Sequence, residues 1–121
     1  MIASIEALLV RTQIIPVLTI ERVEDAVPLA EALVAGGLPV LEVTLRTAAA
    51  PAAIAAIARS VPGAVVGAGT VLTPQDLRTA RDSGAGFGVS PGLSLLLAEA
   101  LEDGFPFLPG AVTPSEIRSG R

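Results

Sequence analysis

An α/β fold on a parallel sheet, forming part of a TIM (β/α)8 barrel, is predicted by three features of this 121-residue sequence. Short apolar runs begin near positions 14, 39, 64, 86 and 105, a spacing of roughly 19 to 25 residues, or one strand–helix unit. Amphipathic stretches fill the intervals. The runs 14–20 and 64–68 are continuously apolar apart from Thr19, as strands covered on both faces are. A doubly wound sheet fits the same alternation, but even spacing and short loops favour the barrel. A whole barrel needs roughly 200 residues or more, so 1–121 is expected to be the N-terminal part of one. It supplies about five units and stops within the fifth helix.

Each element has a local reason. Strands are expected at 14–20, 39–45, 64–68, 86–90 and 105–108. Between the first two, Val23, Ala26, Val27, Ala30, Leu33 and Val34 recur at helical spacing and form one apolar face. Gly36-Gly37 ends that helix, and Asp25 as its cap would place Pro28 among the orphan N–H positions. The Ala-rich stretch 48–58 carries Pro51 in its first turn. Thr73-Pro74-Gln75-Asp76 and Thr113-Pro114-Ser115-Glu116 are near copies of one helix start: a Thr cap, Pro as the first helical residue, an acid at the third. Five strands cannot close a barrel. Strands one and five are therefore each expected to expose a hydrogen-bonding edge, with helices on one side of a curved sheet.

Composition excludes several kinds of chemistry. Apolar residues make up 51%, but 21 residues are Ala and only 3 are aromatic, so the core is aliphatic and finely packed. The net charge of −4, with no basic cluster, argues against nucleic acid as a partner. There is no Cys, His, Lys, Trp, Tyr or Asn. That removes disulfides, thiolate nucleophiles, a Ser-His-Asp triad and any lysine Schiff base. Acid–base work falls to eight Glu and four Asp, and a metal would need hard oxygen ligands. No basic residue precedes the first apolar stretch, and Glu6 interrupts it, so a signal peptide is not expected. The longest uncharged runs, 60–75 and 83–98, are broken by Gly and Pro, so no membrane span is expected either. A soluble cytoplasmic protein follows.

The second strand is the most informative segment. Val40, Glu42, Thr44 and Arg46 alternate with Leu41, Val43 and Leu45. The odd face is apolar and belongs under helices. The even face lines up a carboxylate, a hydroxyl and a guanidinium. Inside a barrel they would point toward the C-terminal mouth, where active sites lie. Extended, Glu42 and Arg46 stand roughly 13 Å apart, too far for a local pair. An edge strand with one wet face fits the pattern as well. The third strand ends Gly67-Ala68-Gly69-Thr70, where the glycines permit close backbone approach; a tight turn without a ligand is the plain alternative. Ser90-Pro91-Gly92 and Pro109-Gly110 are loops at the same mouth. Asp82, Glu99, Glu102 and Asp103 read as solvated charges.

The runs Gly37-Leu38-Pro39-Val40-Leu41-Glu42-Val43-Thr44-Leu45-Arg46-Thr47, Val66-Gly67-Ala68-Gly69-Thr70-Val71-Leu72 and Val89-Ser90-Pro91-Gly92-Leu93 resemble the active-site signatures of 2-keto-3-deoxy-6-phosphogluconate aldolase, also called 4-hydroxy-2-oxoglutarate aldolase. The likeness extends over nearly the whole chain. Related phosphogalactonate aldolases differ after the Glu and come second. The resemblance implies a trimeric barrel enzyme, without cofactor or metal, that reversibly cleaves a keto-deoxy sugar acid phosphate or 4-hydroxy-2-oxoglutarate to pyruvate and an aldehyde. It implies Glu42 as the proton-transferring group, Arg46 on the pyruvate carboxylate, Thr70 on the same pyruvyl unit and Pro91 beside the pocket. Thr44 shares their face. The family's Schiff-base Lys, on strand six, has no counterpart in this chain. The N-terminal amine of Met1 is expected at the end away from the mouth. The isolated chain is therefore expected to be inactive, and a non-catalytic half-barrel that binds or assembles is the rival reading.

Overall fold

The computed structural model describes residues 15–90 and the backbone of two further strands, at 107–109 and 115–118. Pro91, the Ser90 side chain and the loops at 92 and 110 lie outside the described residues. The strands are β1 (Pro16–Thr19), β2 (Val40–Thr44), β3 (Val65–Gly69), β4 (Gly88–Ser90), β5 (Phe107–Pro109) and β6 (Ser115–Arg118). Three helices, α1 (Ala26–Ala35), α2 (Ala50–Ser60) and α3 (Pro74–Asp82), join β1 through β4 in turn.

Local chemistry sets the helix ends. The Thr73 hydroxyl accepts from the Asp76 N–H at 3.0 Å, capping α3 as its sequence predicts. Asp76 reaches back, and its carboxylate accepts from the Leu72 N–H at 3.0 Å. At the end of α1, the Leu38 N–H donates to the Leu33 carbonyl and the Gly37 N–H to that of Val34. Gly37 has the φ of 94° that this closure demands. Asp25 occupies the N-cap of α1 but makes no capping bond there. It belongs to the 3-10 turn Val23–Asp25, which gives it helical backbone, and its carboxylate lies 3.5 Å from the Arg22 guanidinium.

The strand order is β5-β4-β3-β2-β1-β6, with every pairing parallel. From β1 to β5 the order runs one way, with no reversal of the kind a doubly wound sheet has. Leu18, Leu41, Val43, Val66 and Ala68 pack with Ala30 of α1, Ile54 and Ile57 of α2, and Leu77 and Ala80 of α3. The opposite face holds a separate cluster of Ile15, Val40 and Phe87, with Val65 and Val89 against it and, among the described residues, no helix residue. Among the described residues the helices cover one face only, over strands in sequential order, which is barrel architecture. Connectivity requires curvature as well. Register puts Phe107 level with Leu18, and Ser115 beside Pro16. In a flat sheet Pro109 and Ser115 would lie roughly 27 Å apart. Six Cα steps reach at most about 22 Å. The sheet therefore curls, bringing β5 and β6 toward each other.

One expectation is corrected. Ser115 and Glu116, read as the start of a fifth helix, belong to β6, which runs parallel along β1 from Pro16↔Ser115 to Thr19↔Arg118. The Thr-Pro-x-acid signal is worth about 1 kcal/mol. An unpaired strand edge offers a whole row of backbone donors and acceptors. The outer edge of β1 is thus covered, not exposed.

Candidate active site

Glu42 sits in the middle of β2, between Val17 of β1 and Gly67 of β3. Leu41 and Val43 on either side pack under the helices, so Glu42 faces the inner surface, as the alternation predicts. It is only 7% exposed. The side chain does not stand straight up from its own row. It leans toward the C-terminal strand ends and lies over Gly69, where a β-carbon would collide with its carboxylate oxygen. Gly67, level with Glu42, is likewise covered by the ring of Phe87.

Burial pushes the Glu42 carboxyl up to about 7, while the positive charge of Arg46 pulls it the other way. The backbone revises the extended-strand spacing read from the sequence. β2 stops at Thr44, and Leu45 and Arg46 form a turn, so the extended distance does not apply. Arg46 is exposed at the rim. A carboxyl that changes protonation near neutrality both gives and takes protons under physiological conditions.

Thr44 is buried on the same strand, and its hydroxyl donates to the Leu18 carbonyl at 3.5 Å. Thr47 donates to the Ile20 carbonyl at 2.6 Å and ties the turn after β2 to the end of β1. Thr70 follows β3 at the mouth, half-buried, with a φ of 58°. This left-handed conformation costs a β-branched residue on the order of 1–2 kcal/mol. The structure thus brings the Glu42 carboxyl to the level of Gly69, with Arg46 just past the end of β2, Thr70 just past the end of β3 and Thr44 buried on β2 between Glu42 and Arg46. Sequence reading missed Phe87 and Thr47. Phe87 is one of only three aromatic residues, flanked by Gly86 and Gly88. Its rarity was the available signal. Thr47 stands at the end of the aldolase-like run, but its tie to Ile20 was not legible, because that partner is 27 positions away.

Comparison with known proteins agrees with this geometry. The family model for KDPG and KHG aldolase matches residues 5–121. The chain is 51% identical over 118 residues to the KHG/KDPG aldolase of Escherichia coli K12, covering 97% of this chain and 55% of that protein. A 2-keto-3-deoxy-6-phosphogluconate aldolase structure from Zymomonas mobilis superposes with a TM-score of 0.84 at 50% identity, covering 88% of this chain and 52% of that one. KDPG aldolase from Legionella pneumophila, whose structure holds pyruvate captured as a covalent carbinolamine, gives a TM-score of 0.80 at 43% identity, covering 85% of this chain and 50% of that one. The chain spans about half the length of the curated relatives it matches. With its sequential parallel sheet, the Glu-Val-Thr-Leu-Arg-Thr run at 42–47 and the family match over 5–121, the chain belongs to the KDPG and KHG aldolase family.

Proposed function

We propose that this chain is the N-terminal part of a class I aldolase acting on 2-keto-3-deoxy-6-phosphogluconate or 4-hydroxy-2-oxoglutarate. The observation that carries the reading is Glu42: a buried carboxyl on the inner face of the sheet, which burial pushes up to about 7 against the pull of Arg46. In the cleavage, an imine at the keto carbon accepts the electron pair of the breaking C3–C4 bond. The proton of the C4 hydroxyl leaves as the aldehyde forms, and the resulting enamine is protonated at C3. Glu42 handles those protons. Arg46 holds the pyruvate carboxylate through its forked guanidinium. Thr70 and Thr44 bound the pyruvyl unit, with Pro91 beside them. These 121 residues contain no Lys, so on this reading the imine-forming lysine lies outside them. A homotrimer in the cytoplasm belongs to the same proposal.

The rival reading is a half-barrel that binds without catalysing. One experiment separates the two. The chain is incubated with pyruvate and borohydride and weighed by mass spectrometry, alone and with the C-terminal half of the E. coli aldolase as a separate polypeptide. We expect no adduct on this chain, an adduct on the Lys-bearing half, and retro-aldol turnover only in the mixture. Turnover should fall at least 100-fold in Glu42→Gln while the adduct persists. Failure of the mixture to turn over would favour the binding module.

A further inference from the structure

We propose that Gly69 is a positioning residue, whose missing side chain is what lets the Glu42 carboxyl reach the mouth of the sheet. The inference rests on reading Glu42 as the proton-transferring group. Glu42 is level with Gly67, yet its carboxyl lies over Gly69, two residues nearer the strand ends. A β-carbon at 69 would meet Oε2 directly and fall 2.7 Å from Cδ and 2.8 Å from Cγ. No side chain other than hydrogen fits beneath that carboxyl.

The backbone gives no competing reason for glycine. Among the described glycines only Gly37 and Gly84 have a positive φ, so residue 69 has a conformation any L-residue adopts. The constraint at 69 is the carboxyl above it. Toward the base of the sheet the way is closed, because the fully buried ring of Phe87 fills the space over Gly67. A side chain at 69 therefore drives Glu42 outward to water. Two glycines, spaced to fall on one face, thus receive two different tenants: a ring that shields and a carboxyl that works.

The test follows the Glu42 carboxyl by carbon-13 NMR in the full chain, assigned by its loss in Glu42→Gln. Gly69→Ala should lower its titration midpoint by at least one pH unit, toward the ordinary glutamate value. Gly36→Ala, where a β-carbon makes only ordinary contacts, should leave it in place. If Gly69→Ala alone does not fold, Gly69→Ala with Glu42→Ala should restore folding, since the clash partner is gone. An unchanged midpoint, or a double variant no better folded than the single, would overturn the proposal. In the mixture with the E. coli half, Gly69→Ala should cut kcat at least tenfold with little change in KM. A moved midpoint with normal kcat would keep the positioning and sink the catalytic reading of Glu42.

Discussion

A carboxyl held near 7 couples its protonation to folding. Unfolded, Glu42 titrates near 4.5; folded, near 7, with burial raising it against the pull of Arg46. Between those values the native state binds the extra proton, so stability is fully present below about 4.5 and falls as pH rises through 7. The whole span is worth on the order of 3 kcal/mol. Urea unfolding at pH 4.5 and 7.5 should show that loss in the parent and a smaller one in Glu42→Gln. Thr70 stores strain of a different kind. Thr70→Gly should raise stability by about 1 kcal/mol by relieving its left-handed backbone, while weakening pyruvate binding. The inner face was legible residue by residue, since Glu42 and Thr44 follow strict alternation. That Arg46 follows the strand in a turn was not legible, because where a strand gives way to a turn is a tertiary outcome. Phe87 over Gly67 was not legible, because nothing local says where a ring will find an empty backbone.

At the scale of elements, caps decide boundaries at modest cost. Thr73→Ala removes the hydroxyl that accepts from Asp76 and should cost about 1 kcal/mol, read as a lower midpoint in thermal unfolding. Gly37→Ala tests backbone alone. Nothing lies within 4 Å of a β-carbon there, so its expected loss of about 1 kcal/mol is purely the left-handed φ. Both devices stood plainly in the sequence. The same Thr-Pro-x-acid signal recurs at 113–116, yet Ser115–Arg118 is a strand. The two copies differ in what surrounds them. Residues 74–82 present Leu77 and Ala80 to the helix-side core, a burial that rewards helix. Residues 115–118 meet a bare strand edge, where extended backbone wins.

For the molecule as a whole, the covered edge of β1 replaces the exposed edge that strand counting predicts. Removing residues 115–121 should uncover it, and sedimentation velocity should then show association at concentrations where the full chain is smaller. The barrel itself was legible, because its evidence lies in even spacing and continuous apolar strands. The sixth strand was not, because it depends on an edge made by residues far away in sequence. That distance has a consequence in time. At about 5–20 residues per second on a ribosome, β1 emerges some 5–20 s before the segment that will pair with it. Throughout that interval Pro16–Thr19 and its neighbours present an apolar, hydrogen-bonding template to every other nascent chain nearby. Soluble yield is therefore a matter of translation speed and crowding of nascent chains, even when the finished fold is equally stable in each case.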